Sequence, residues 1–552
     1  MLARRLAIFP GGATLAAAEQ VCADQLLPAA GVLPALSGLV DKSILAADPD
    51  GTGQRYRMLE TVRTYGLERL AEADEDAAVR DAFTAYYLNL TETADPELRT
   101  ARQRRALREL ICEQDNVHAA LRWAIAARNA DTALRFVRAL GWYWMLRGKP
   151  GEPDVLAREV LTMEPRERSA RLAEARAVCA LTAVGDNWDM DLVRPVLAAA
   201  MADFAAWSPD ATMTHPIAAM GEPMLALHDR DPDRAFAVFD QYATSPDPWL
   251  RAVAPLMRGT FGSMLGRMEW AESLCQESLA AFRVLGEVWG TAVVLVQMAE
   301  FAEMRADYVP AIDEAASLAR ELGAWGDLAH ISGKLAAIRV RTGDLAQARA
   351  DLLRAEHDES DRGAGQTDSA VWLGLVRAEL LWREGDSGAA ARQCTMALAW
   401  LDSKQSSWWF GLRALIQARL AMIVLSDGDE DRCRELLADA LRVAADWVEN
   451  PAIAAVIDAI AVLALATDTV ANPVRAGASR LRSPAPCRYH AWRLSCGGQS
   501  ASSRHWFDPP TCTRTGAVSF SRSPASSARC AFIQASASRE ILVSPSLVNA
   551  EA

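Results

Sequence analysis

Gly385-Asp386-Ser387-Gly388 matches the tetrapeptide around one class of serine nucleophile. Such a serine needs a histidine base and a third group to orient it, and no motif places a histidine for Ser387. The stretch lies between two helical patterns, so its expected role is a turn. Asp427, Asp429 and Asp431 have the opening spacing of a calcium loop. Arg432 stands where that loop needs glycine and Ala438 where it needs a bidentate carboxylate, which leaves a helix start. The acidic run from Glu356 to Asp361 reads as an exposed inter-helix loop. None of the seven histidines forms a metal-ligand pair of the His-Glu-x-x-His kind, and Cys487, His490, Cys496, His505 and Cys512 match no zinc spacing. No catalytic residue, metal or cofactor is expected.

What positions these residues is a repeat. A glycine or polar turn is followed five residues later by a small side chain that opens a new apolar helix, at Ala235, Ala271, Ala311, Ala348, Ala390 and Cys433, 36 to 43 residues apart. That period means stacked helical hairpins. The turns read Arg-Thr-Gly343-Asp344, Arg-Glu-Gly385-Asp386 and Ser-Asp-Gly428-Asp429, with Leu265-Gly266 in the same role. Glycine permits a left-handed helix end, and the aspartate caps the next helix or opposes its positive end. Seven residues on, Ser278, Ala355, Ala397 and Ala440 lie two turns further along the same face, where small side chains let helices approach closely. The pattern resembles tetratricopeptide repeats in a degenerate form over about residues 150–468.

The 552 residues exceed a single core, and 51% hydrophobic content suits burial. The net charge of −13 is divided unevenly. From residue 471 on, ten arginines against Asp508, Glu540 and Glu551 give +7, which leaves the preceding 470 residues at −20. An acidic body excludes nonspecific nucleic-acid binding by the array as a whole. No apolar run reaches the length of a bilayer, and the run after Arg4-Arg5 stops at Pro10, too early for a signal peptide. A cytoplasmic protein is expected, with Cys22, Cys112, Cys179, Cys275, Cys394 and Cys433 as reduced thiols, mostly buried. From about 469 the helical period gives way to serine, proline and arginine, a composition that builds no core. Residues 469–552 are expected to be disordered, and a shifted reading frame would account for the same change.

The first 70 residues have another rhythm: short helices around Thr14–Cys22 and Leu33–Asp41, then strand candidates Ser43–Ala47 and Arg55–Leu59 joined by a Gly/Pro/Asp loop. Four ordered stretches carry a likeness: Leu2-Ala-Arg-Arg-Leu-Ala-Ile-Phe9-Pro-Gly-Gly12, Leu39-Val-Asp-Lys-Ser43, Arg55-Tyr-Arg-Met-Leu-Glu-Thr-Val-Arg-Thr-Tyr65-Gly66 and Glu113-Gln-Asp-Asn-Val-His-Ala-Ala-Leu-Arg-Trp123. Over about residues 1–150 they resemble the region after the nucleotide-binding domain in bacterial signal-transduction ATPases of LuxR-type and antibiotic-regulatory-type transcriptional regulators. The resemblance implies a winged helix followed by a sensing repeat array, and a chain corresponding to the carboxy-terminal part of such a regulator. No Gly-x-x-x-x-Gly-Lys-[Ser/Thr] occurs in the sequence. Where the family's winged helix carries a Met-His-Asp nucleotide sensor, this chain has Met58, Leu59 and Glu60; leucine donates no hydrogen bond to a phosphate.

The fold class expected is all-α: a right-handed α-solenoid of tetratricopeptide-like hairpins (151–468), preceded by a winged-helix-like module with a short β-hairpin (1–70) and a helical connector (71–150). The front module has seven basic and seven acidic side chains, and its recognition-helix candidate from Leu33 to Lys42 offers few base-reading groups, so direct DNA binding is not expected. Arg55 and Arg57 are the basic residues on which DNA binding would depend. The connector's basic cluster, including Arg102 and Arg105, reads as a solvated face balanced by Glu97, Glu109 and Glu113, with an anionic partner as the sharper alternative. Most of the seventeen tryptophans are expected in the core, with Trp408-Trp409 the pair to include an exposed partner-binding ring. The function expected is a non-enzymatic sensor fragment that binds a protein, peptide or small inducer, with a separately encoded ATPase as a further partner. A free-standing adaptor with no transcriptional role is the rival.

Overall fold

In the computed structural model the described residues are 1–467, apart from short segments at 51–52, 148–151, 185–189, 210, 230, 265–267, 303–308, 323–324, 361–367, 403–409 and 446–450. The turn at Leu265-Gly266, the Trp408-Trp409 pair and the segment from 471 on lie outside them.

The front of the chain runs α1 (Leu2–Leu6), β1 (Ala13–Thr14), α2 (Leu15–Cys22), α3 (Ala29–Asp41), β2 (Leu45–Asp50), β3 (Gly53–Met58) and α4 (Glu60–Glu72). Thr14 caps α2, its hydroxyl accepting from the Ala17 amide at 3.2 Å. The hairpin pairs Leu45 with Met58 through Asp50 with Gly53, and β1 adds a third antiparallel strand in the order β1-β3-β2. At two residues, β1 is too short to show an alternating pattern in the sequence. Arg4 and Arg5, whose position beside an apolar run mimics a signal peptide, are structural. Arg5 donates to Glu75 at 3.0 Å, to Asp24 at 2.5 Å and to the Cys22 carbonyl at 2.7 Å, while Arg4 donates to Glu75 at 2.8 Å.

These arginines hold the Glu75 and Asp24 carboxyls down at about 2. Carboxylates depressed in the folded state stabilise it above their ordinary values, and that stabilisation is lost as pH falls toward 2. The thermal midpoint of the front module is therefore expected to fall between pH 4.5 and 2.5. Glu75→Gln should lower it at neutral pH and flatten the acid slope, as followed by circular dichroism.

A connector of α5 (Asp76–Glu97), α6 (Gln103–Cys112), α7 (Gln114–Ala126) and α8 (Ala130–Arg147) leads through α9 (Glu152–Leu161), α10 (Ala170–Ala183), α11 (Met190–Trp207) and α12 (Pro216–Ala219) into the repeats. These are antiparallel pairs: α13 (Gly221–His228) with α14 (Pro232–Ala243), α15 (Pro248–Met264) with α16 (Met268–Leu285), α17 (Val288–Ala302) with α18 (Val309–Leu322), α19 (Trp325–Thr342) with α20 (Leu345–Ser360), α21 (Asp368–Arg383) with α22 (Ser387–Asp402), and α23 (Phe410–Ser426) with α24 (Glu430–Ala445), closed by α25 (Pro451–Thr467). Each helix packs on its sequence neighbours, which makes this region an α-solenoid of helical hairpins.

The turns follow the chemistry of their residues. Gly343, Gly385 and Gly428 take φ of +91°, +95° and +91°, and each following aspartate amide reaches back to a carbonyl of the preceding helix at 2.9–3.0 Å. The Asp344, Asp386 and Asp429 carboxylates then accept from the Gln347, Ala389 and Arg432 amides. Ser387 thus opens a capped helix, and Asp429 is a helix cap; among the described residues no group of acids, histidines and cysteines is placed to hold a metal.

The repeat marker is the fourth residue of the second helix. Ala235, Ala271, Ala348, Ala390 and Cys433 occupy it, all fully buried, and in α18 the position belongs to Ile312, with Ala311 half-buried beside it. Small size there allows close approach: a Cβ on Gly259 of α15 would lie 3.0 Å from the Ala271 carbonyl oxygen and 3.1 Å from Cys275 Sγ. Ala348→Leu is expected to cost roughly 1–3 kcal/mol by overpacking, with faster hydrogen exchange confined to α19–α21. Cys22, Cys179, Cys275, Cys394 and Cys433 are buried and unbridged. One contiguous cluster of buried apolar side chains runs from Leu2 to Ile338, so front module, connector and first hairpins share a core. Two further clusters serve the later hairpins.

Candidate functional site: the junction between front module and repeats

A group of deeply buried polar side chains lies where the front module, connector and first repeats meet. Arg55 of β3 is fully buried. Its guanidinium donates to Glu113 at 2.5 and 3.3 Å and to the Gly12 carbonyl at 3.1 Å. Glu113, between α6 and α7, also accepts from Tyr87 Oη of α5 at 3.0 Å and from Asn116 Nδ2 at 2.7 Å. Asn116 completes the node, accepting from the Gly11 amide at 3.0 Å and donating to the Gly12 carbonyl at 2.9 Å. Gly12 has φ +77°, and a Cβ there would sit 2.8 Å from the Tyr56 carbonyl oxygen. Burial, reinforced by Glu113, pushes the Tyr87 phenol well up. Three of the four stretches that carry the family likeness thus converge on one network: Gly11-Gly12, Arg55 and Glu113–Asn116.

One expectation is corrected here, and the rival DNA-binding reading loses one of the two arginines it depends on. Arg55 is no DNA contact, because its guanidinium is consumed inside the protein. Glu113 is no surface counter-charge for the connector's arginines, because it is buried beside Arg55. The connector arginines find other partners: Arg99 pairs with Asp95 at 2.8 Å, Arg102 with Glu97 at 2.8 Å and Arg104 with Glu321 at 2.7 Å, while Arg105 is exposed.

A second node, absent from the sequence reading, ties the connector to the first repeats. Glu92 and Asp95 of α5, Arg135 and Arg138 of α8, and Arg171 and Glu174 of α10 face one another at three-residue spacing on each helix. Glu92 accepts from Arg135 at 2.7–2.8 Å and from Arg171 at 2.7 Å. Arg138 donates to Glu174 at 2.8 Å and reaches Asp95 at 3.4 Å. The other Glu174 oxygen accepts the Thr214 and His215 amides at 2.7 and 3.0 Å, ahead of α12. His215 is fully buried, with Nε2 3.7 Å from Asp95. Burial drives the His215 imidazole well below its usual range, so it is neutral, and raises the Asp95 carboxyl. With Arg99 on Asp95, four guanidiniums face three carboxylates in this node, and their pairing sets helix register.

The residues aligned with the nucleotide sensor make none of the hydrogen bonds described in either node. Met58 is half-buried, Leu59 is 70% exposed at the start of α4, and Glu60 is exposed and paired with Arg63 at 2.7 Å.

No protein-family model matches the chain. Over 150 residues it is 39% identical to proteins of Mycobacterium tuberculosis (strain H37Rv) and Mycobacterium bovis that are named as candidate HTH-type transcriptional regulators. The match takes in 27% of this chain and 16% of each relative, so the chain spans only a small part of the length of the relatives it matches. Among solved structures, a signal-transduction ATPase with a tetratricopeptide repeat sensor from Pyrococcus horikoshii aligns over 90% of this chain and 63% of its own, at 10% identity and a TM-score of 0.37. Yeast Tom70 aligns over 72% of this chain and 99% of its own, at 13% identity and a TM-score of 0.25. Both superpose too loosely to carry an argument about function. Among the described residues no helix is long and apolar enough to cross a membrane.

Proposed function

We propose that this chain is a non-enzymatic sensing and coupling fragment of a bacterial transcriptional regulator. Its hairpins bind a protein, peptide or small inducer, and its winged-helix-like front module carries the response to a nucleotide-binding partner in the cytoplasm. The observation that carries the reading is the convergence of Gly12, Arg55, Glu113 and Asn116 on one buried network, in a chain 39% identical over 150 residues to proteins named as transcriptional regulators. A front module joined through polar nodes to an array is a device for transmitting a change of hairpin angle. Residues 1–70, 71–150 and 151–468 are its working divisions. Trp408 and Trp409 of the array, and Arg102 and Arg105 of the connector, are the proposed partner contacts. Leu59, unable to donate to a phosphate, leaves nucleotide hydrolysis to the partner.

The test is capture from the native cytoplasm by the full chain. A retained partner, lost or weakened about tenfold in Trp408→Ala/Trp409→Ala, is the expected result. Undiminished retention by the Trp408→Ala/Trp409→Ala chain, or labelling of Ser387 by serine-reactive probes, would overturn it. A neighbouring reading frame with a phosphate-binding loop favours the regulator over the free-standing adaptor. Duplex DNA at low salt is expected to show no shift, since the front module is charge-neutral and Arg55 is internal.

A further inference from the structure

The connector touches the array a second time, far along the chain. Gln103, the first residue of α6, is fully buried. Its carbonyl oxygen accepts the Val288 and Trp289 amides at 3.0 and 3.2 Å, the first turn of α17. Its amide nitrogen donates to the Leu98 carbonyl at 2.7 Å and to the Glu287 carboxylate. Helix N-termini are normally capped by a residue next to them in sequence. Here the chain supplies a cap from 185 residues away. Glu287, itself 1% exposed, accepts the Gly290 amide with its other oxygen. Gly286 (φ +67°) brings the backbone so close that a Cβ there would lie 2.9 Å from Ala101 Cβ. Arg104 and Glu321 pair at the rim, and Trp142 of α8 stacks edge-on against Trp249 and Trp289 at 5.1 and 4.9 Å behind the contact.

We propose that residues 98–104 and the start of α17 form a reversible clasp that closes the connector onto the hairpin α17–α18 and releases it as one step. Elsewhere the repeats hold their sequence neighbours through apolar faces, whereas this contact sets a buried polar cluster, centred on a carboxylate, beside its apolar packing. Amide donors surround Glu287, with no cation beside it among the described residues, and burial pushes its carboxyl up to about 7. A buried carboxylate held that way is costly, so closure is finely balanced. Opening returns the α17 amides and Glu287 to water and frees the hairpin to turn against α8.

Hydrogen exchange on the full chain tests this. Gln103→Ala should accelerate exchange in peptides covering 98–106 and 286–291 together, by about tenfold, with 53–58 and 371–380 unchanged. Arg104→Cys/Glu321→Cys in a background with Cys112, Cys487, Cys496, Cys512 and Cys530 changed to serine, joined as two thioethers by a short bis-maleimide, should slow both segments below the wild-type rate. The cross-linked chain keeps Gln103 and so decides the matter even if Gln103→Ala fails to fold. Unchanged exchange at 286–291 in folded Gln103→Ala, acceleration throughout the chain, or a cross-link without effect on either segment would show a static core contact and overturn the clasp.

Discussion

Arg55→Ala is expected to destabilise the front of the protein by about 3–5 kcal/mol, the largest single-residue effect in the junction. The substitution leaves Glu113 buried with only Tyr87 and Asn116 as donors, and removes the donor to the Gly12 carbonyl at a turn that admits no Cβ. An uncompensated buried carboxylate accounts for most of the loss, so Glu113→Ala should cost a similar amount by stranding the guanidinium. Replacing both partners with Arg55→Met/Glu113→Leu should recover much of it, because apolar packing often equals a buried ion pair. Urea unfolding followed by circular dichroism reads these differences directly. A loss below about 1 kcal/mol for Arg55→Ala, the range of exposed pairs, would mean that the node is solvated.

The second large effect is at Glu174. Its carboxylate accepts from Arg138, Thr214 and His215 at once, so Glu174→Ala leaves the Arg138 guanidinium with its longer contact to Asp95 and strands two backbone amides. About 3 kcal/mol is expected from lost charge-assisted bonds and unsatisfied donors. Glu174→Gln keeps one oxygen for the two amides and should lose roughly half as much. Faster exchange should centre on α10 and the 213–219 segment and leave α21–α24 unchanged. Equal acceleration in the distal hairpins would contradict the nearest-neighbour character of the array.

The repeats were legible because their determinants are local. A glycine at positive φ and an aspartate cap are dictated by backbone sterics and orphan amides within a few residues, so Gly343-Asp344, Gly385-Asp386 and Gly428-Asp429 declare themselves. Register is less local: in α18 one apolar residue stands beside another, and the alanine of the pair, Ala311, lies one place before the buried Ile312. The hairpin β2–β3 was visible through its turn, while β1 exists only because the Gly11-Gly12 turn lays it against β3.

The junction was legible only in part. Gly12, Arg55 and the pair Glu113 and Asn116 fall within stretches that resemble a family, yet nothing in the spacing says that the three stretches meet, since the contacts between them span 43 to 104 residues. Arg55 reads as a surface base because arginine is rarely buried without a partner, and its partner lies 58 residues on. The Glu92–Asp95, Arg135–Arg138 and Arg171–Glu174 pairs share a three-residue spacing on successive helices, the one signal from which a complementary face was recoverable. Gln103 and Glu287 carry no local signal at all.

The central claim is that the array and the front module communicate through this junction. The direct measurement is hydrogen exchange at residues 53–58 and 113–117 of the full chain, before and after saturation with the partner it captures. A changed exchange rate there, with Arg102, Arg105 and the hairpins as the contact region, is the predicted result. Saturated binding that leaves both segments at their original rates would contradict it.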